Sequence, residues 1–144
     1  MPRPVLRSLT LLLLLASLYN CKPKEEENKE QLQEVQNYTC ESFKTGAFTL
    51  INTEKNLNTT IVRDARMQTE TNNITGAVTK GLVTWVDACT YQMLYLESSS
   101  ELAGNIIGKT LVVQIVNIKN NMYTYTAKLK GSNYTSTGNI TKIE

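Results

Sequence analysis

Asp64, Glu70, Asp87, Glu97 and Glu101 are the side chains of this chain that could do acid–base work. Two carboxylates facing one bond supply an acid and a base or nucleophile, as in glycoside hydrolysis. Their spacing selects no pair, and isolated acids on strands are usually solvated. The sequence contains no histidine, which removes the commonest general base, the usual zinc ligand and the partner of a serine or cysteine nucleophile. It also lacks a phosphate-cradling glycine loop, a clustered acidic calcium loop and a hydrolase elbow. The expectation is a protein that is not an enzyme and uses no metal or cofactor.

The three cysteines, Cys21, Cys40 and Cys89, carry the remaining chemistry. Before Cys21, residues 1–7 hold two arginines and no acid, and residues 9–19 are mostly leucine. That is the charged-then-apolar layout of a secretory signal peptide, too short for a membrane span of ~20 residues. Leu18-Tyr19-Asn20-Cys21 resembles a lipobox of the relaxed kind found in bacteroidete lipoproteins, with Asn20 where a small residue is usual. Lipidation of Cys21 would bury several acyl chains at ~0.8 kcal/mol per methylene and fix the protein to a membrane, here the outer membrane, on its periplasmic or surface face. Residues 1–20 are then the signal peptide, and the charged stretch 21–37 reads as a disordered tether. In an oxidising compartment Cys40 and Cys89 are expected to pair, which would be worth about 4 kcal/mol in the chain-entropy model. The rival reading is two buried reduced thiols.

Charge excludes a further class. The chain has 15 Lys+Arg and 13 Asp+Glu, and loss of Arg3 and Arg7 with the signal leaves 13 of each. Nucleic-acid binding needs a basic footprint that is missing here.

The elements that must position these residues are strands. All three prolines lie at or before Pro23, and residues 38–144 are rich in Thr, Val, Ile and Tyr, so this single domain is free to form sheet ladders throughout. Eight strands are expected over Gly46–Thr53, Leu57–Arg63, Arg66–Thr71, Val78–Asp87, Cys89–Glu97, Thr110–Ile118, Met122–Lys130 and Asn133–Ile143. Short polar links such as Asp64-Ala65, Asn120-Asn121 and Gly131-Ser132 imply antiparallel neighbours. The fold class is therefore all-β, an antiparallel meander that curls into a sheet or small barrel. Between strands five and six, Ser98-Ser99-Ser100-Glu101 fits a capping box. Leu102, Ala103, Ile106 and Ile107 follow at helical spacing, and Gly108 can end the helix. Such a helix would lie across the sheet or plug a barrel mouth.

Alternation in Met122–Leu129 turns Tyr123, Tyr125, Ala127 and Leu129 inward. Residues 91–96 and 111–116 are apolar on both faces, so something must cover the second face: the helix, or the first segment around Tyr38 and Phe43. The sharper candidates are a partner protein or an apolar ligand. Tyr91, Met93, Tyr95, Tyr123 and Tyr125 form the candidate binding face, and Trp85 reads as a core anchor.

Cys40-Glu-Ser-Phe43-Lys-Thr-Gly46-Ala-Phe48, Ile61-Val-Arg63 with Gln68, and Trp85-Val-Asp87-Ala-Cys89-Thr-Tyr91-Gln-Met-Leu94 resemble a pattern of small uncharacterised bacteroidete-type cell-envelope lipoproteins over residues 40–97. The resemblance implies export and a disulfide, and no activity. Asn-X-Thr triplets at Asn37, Asn58, Asn73, Asn133 and Asn139 would be glycosylation acceptors in a eukaryotic secreted protein. In a chain rich in both residues, several arise by chance. The leading expectation is a lipid-anchored envelope protein with a non-enzymatic binding or structural role toward an envelope protein partner. The alternatives are a lipocalin-like carrier of a small apolar ligand and an inhibitor of a hydrolase such as lysozyme. Tyr38-Thr-Cys40 suggests the inhibitor by resemblance to membrane-bound lysozyme inhibitors, although their inhibitory loop motif is missing.

Overall fold

The structure, a computed structural model, describes residues 37–143. The signal segment, Cys21 and the tether before Asn37 lie outside the described residues. Eight strands follow one another in a meander: β1 (Gly46–Asn52), β2 (Leu57–Arg63), β3 (Met67–Asn72), β4 (Val78–Trp85), β5 (Thr90–Ser98), β6 (Thr110–Lys119), β7 (Met122–Leu129) and β8 (Thr135–Lys142). All neighbours are antiparallel, and β8 returns to β1 with Phe48 opposite Lys142 and Thr49 opposite Thr141, closing a barrel. Closure leaves no open sheet edge, which removes the hazard of edge-to-edge association.

The links explain where the expected strands stop short. Asp87 does not extend β4; its Oδ1 accepts the Cys89 N–H at 2.8 Å and shapes the β4–β5 turn. Asp64 does the same between β2 and β3, accepting the Arg66 and Met67 N–H groups at 2.8 and 2.7 Å. Backbone donors hold both carboxyls below their ordinary pKa, as expected where hydrogen bonds favour the ionised form. Asn120 turns β6 into β7 in the left-handed region at φ 54°, which asparagine tolerates better than most residues.

One 3-10 turn, η1 (Cys40–Phe43), precedes β1 and a second, η2 (Glu101–Ile106), joins β5 to β6. The helix expected between those strands is thus a 3-10 segment, and Ser100 makes no side-chain cap to it. Gly104 and Gly108 lie in and just after this short stretch, and glycine costs about 1 kcal/mol in an α-helix.

Strand alternation places the core inside the barrel: Phe48, Ile61, Val83, Tyr91, Met93, Val113, Ile115, Tyr123 and Ile140 are buried. The double-faced apolar stretches resolve differently from the expectation of a covering layer. Phe43 does not lie over the outer face; it is fully buried in the core at one barrel end. On the outer face Leu96 and Val116 stay about half exposed, and the β5–β6 register puts them at opposite ends of that ladder. Separated apolar residues of this kind are normal on a surface. In β6 a bulge between Ile115 and Asn117 makes Val116 the extra residue, so that Ile115 and Ile118 both pack toward the core. A bulge resets the two-residue period in this way.

A second bulge lies in the β4–β5 ladder, where Lys80 pairs with Glu97 and Gly81 with Tyr95, leaving Leu96 of β5 as the extra residue, and here the wall is close-packed. A Cβ on Gly81 would lie 2.7 Å from the Met93 side chain and 2.9 Å from the Leu94 carbonyl oxygen. Gly81→Ala should therefore destabilise the barrel by about 1–3 kcal/mol, the usual cost of overpacking. Urea denaturation checks this, and an unchanged midpoint would contradict it.

Candidate functional site

The two barrel ends differ. At the end formed by the start of β1, the end of β2 and the β4–β5 turn, η1 folds into the opening. Cys40 is bonded to Cys89 with a Cα–Cα distance of 5.2 Å, which decides between the two readings of these thiols. Lys142 Nζ donates to the Ser42 and Thr45 carbonyls at 2.6 and 3.0 Å. Phe43 packs edge-on to Tyr123 with ring centroids 4.9 Å apart, and Tyr38 stacks on Phe43 at 5.6 Å.

Arg63 is the centre of this plug and is 2% exposed, rare for a charged residue without a close carboxylate. Its guanidinium makes four hydrogen bonds: Nε to Gln68 Oε1 at 2.6 Å, one terminal nitrogen to the Phe43 carbonyl at 2.8 Å, and the other to the Tyr91 and Tyr123 hydroxyls at 2.9 and 3.2 Å. The Tyr91, Phe48 and Trp85 rings lie 4.4, 5.1 and 6.0 Å from its central carbon. Hydrogen bonds from η1, β3, β5 and β7 and ring faces from β1, β4 and β5 thus replace the water that burial removed.

Above this floor the barrel is not filled. A cavity of about 180 Å³ runs from Tyr91 past Ile61, Met93 and Val113 toward the opposite end, where Leu57 starts β2 and Tyr134 lies in the β7–β8 link. Tyr134 is 57% exposed and stands at the rim. Glu70 is the one charged residue in the lining. It is partly buried, and its Oε1 accepts the Gln68 Nε2–H at 2.6 Å. Gln68 therefore links the Arg63 guanidinium to the Glu70 carboxylate. Burial pushes the Glu70 carboxyl above its ordinary pKa, against the opposing pull of Gln68 and Arg63. Burial likewise raises Tyr91, Tyr95 and Tyr125, so their hydroxyls stay protonated at neutral pH.

Each residue singled out in the sequence can now be placed. Tyr91, Met93, Tyr95 and Tyr125 line the cavity, whereas Tyr123 belongs to the plug. Trp85 packs on Tyr91 at 5.0 Å. The five carboxylates are not brought together: Asp64 and Asp87 shape turns, Glu97 pairs with Lys80 at 2.6 Å, Glu101 is exposed in η2 and Glu70 faces the cavity. Among the described residues no group of three or more His, Cys, Asp or Glu is placed to hold a metal ion. Sequence reasoning missed the roles of Arg63 and Gln68. The available signal was parity, since Arg63 falls in step with the inward residues Leu57, Thr59 and Ile61.

No family model, no curated protein and no solved structure matches the chain.

Proposed function

We propose that this chain is a lipid-anchored, non-enzymatic binding protein of the cell envelope whose barrel takes up a small molecule through its open end. One observation carries the binding half of this reading. The barrel is sealed at one end by a covalently and electrostatically fixed plug, yet keeps a cavity of about 180 Å³ in its other half. Packed interiors seldom leave such a space, because empty volume forfeits dispersion contacts. A one-ended cavity with a rigid floor and a wall of apolar groups is the usual form of a small-ligand site.

Size narrows the occupant. An apolar cavity of ~150 Å³ accommodates benzene, so the space here suits a compact molecule and falls short of enclosing a whole membrane lipid. The carrier reading therefore applies to small ligands. Attachment through Cys21 is supported by the lipobox-like Leu18–Cys21 and the charged stretch that follows it. It would place the open barrel at a membrane boundary, where it can capture or buffer a solute.

Cavity filling tests the binding half. Ala127 lines the space and is 4% exposed. Ala127→Leu should leave the far-ultraviolet circular dichroism unchanged and weaken binding of benzyl alcohol by about tenfold, equivalent to ~1.4 kcal/mol. Equal affinity in the parent and the variant would contradict an interior site. Intact mass of the membrane-extracted protein tests the anchor; an unmodified Cys21 or a retained residue 1–20 segment would overturn it.

A further inference from the structure

The lining has an asymmetric chemistry that says more about the occupant. Its apolar part includes Leu50, Ile61, Met93, Leu111 and Val113, and its one charged member is Glu70. Arg63 is not part of the lining; three of its hydrogen bonds go to Phe43, Tyr91 and Tyr123 at the plug, and the fourth goes to Gln68, which stands between it and Glu70. Tyr95, Tyr125 and Tyr134 share the lining with Glu70. A carboxylate surrounded by aromatic rings attracts an ammonium group through both charge and ring quadrupoles. It repels an anion.

Building on the small-ligand reading above, we propose that the cavity is selective for a small organic cation, with a protonated amine on the Glu70 carboxylate and a benzene-sized apolar body against Ile61, Met93 and Val113. The hydrogen bond from Gln68 to Glu70 Oε1 fixes the carboxylate from the plug side. An ionised carboxylate can accept several further hydrogen bonds. A primary ammonium supplies three donors.

Ionising Glu70 has a cost that such a ligand offsets. Burial raises the Glu70 pKa, so in the ligand-free protein ionising Glu70 lowers stability as pH rises through its folded-state pKa. The charged and titratable groups around it are Arg63 from β2, Tyr91 and Tyr95 from β5, Tyr125 from β7 and Tyr134 from the β7–β8 link. A cation on Glu70 favours the ionised form and lowers its pKa. Amine binding should therefore strengthen as pH rises through the raised Glu70 pKa, in the range where the amine remains protonated.

The test compares benzylamine, benzyl alcohol and benzoate by calorimetric titration at pH 8 against the parent and Glu70→Gln, which keeps an acceptor for Gln68. The expected result is benzylamine bound at least about tenfold more tightly than benzyl alcohol, benzoate weakest, and the amine preference lost in Glu70→Gln with benzyl alcohol affinity kept. The thermal midpoint of ligand-free Glu70→Gln should equal or exceed that of the parent at pH 8, which separates a binding role from a structural one. Benzyl alcohol bound as well as benzylamine, or an unchanged amine preference in Glu70→Gln, overturns the cation selectivity and leaves the small-ligand reading standing. If none of the three binds, both fall.

Discussion

Arg63→Ala should cost about 3–5 kcal/mol, the upper range for single substitutions, reached when a buried hydrogen-bond network is broken. For a barrel of this size that corresponds to a fall in thermal midpoint of roughly 15 °C or more. The reason lies in what the guanidinium leaves behind. Without it the Phe43 carbonyl, the Gln68 amide oxygen and the Tyr91 and Tyr123 hydroxyls lose a donor inside a barrel end that η1 closes to water. A buried acceptor left unpaired costs about 1–3 kcal/mol. The two hydroxyls can recover part of this by bonding to each other; the Phe43 carbonyl has no such substitute. Arg63→Lys keeps the charge but loses the planar fork that serves acceptors on four sides, so it should fall between the parent and the alanine variant. Urea unfolding of the three proteins checks the order. An alanine variant within 1 kcal/mol of the parent would show that the plug does not depend on this residue.

Breaking the Cys40–Cys89 bond should have a comparable effect, by a different route. The bond closes a loop spanning 49 positions, and constraining a loop of that length in the unfolded chain is worth about 4 kcal/mol. Arg63 acts in the folded state, whereas most of this contribution acts on the unfolded ensemble. Cys40→Ala with Cys89→Ala should lower the midpoint by roughly 15–20 °C. Reduction should do the same to the parent and nothing to the double variant. Because η1 remains tied by Arg63 and Lys142, the folded barrel should keep its plug, and Trp85 fluorescence below the transition should be unchanged. A double variant as stable as the parent would contradict the loop argument.

These two groups also show how much of the fold and of the site was legible in the sequence. The eight strands and their order follow from β-branched and aromatic content, the absence of proline after Pro23 and the short polar links, and the structure closes that meander into a barrel. Closure itself is not legible in the sequence, because it depends on the registers summed around the sheet, with two residue pairs at the β1–β8 seam. Cys40 and Cys89 could be paired by count. The inward parity of Tyr123, Tyr125, Ala127 and Leu129 was read correctly from alternation, and all four are buried.

The site was less visible for a physical reason. Alternation says that Arg63, Gln68 and Glu70 point the same way as their apolar neighbours, but a charged residue in such a strand ordinarily signals the outer face. Only the convergence of η1, β3, β5 and β7 on β2 lets Arg63 find four acceptors. The second apolar face of β6 misled for a related reason: bulged residues fall out of step, and a bulge leaves no mark in composition. Phe43 was expected to lie against the sheet, whereas its ring enters the barrel end, because the Cys40 bond and the Arg63 contact draw η1 into the mouth.

Whether the open half of the barrel is a binding chamber can be decided by nuclear magnetic resonance on the methyl-labelled protein with benzylamine. The expected result is a set of intermolecular Overhauser contacts from the ring protons to the methyl groups of Ile61, Met93, Leu111 and Val113, which line the cavity, with none to Val62, Leu96 or Val116, which are exposed outside it. Contacts to the exposed methyls alone, or none at saturating amine, would contradict an interior site.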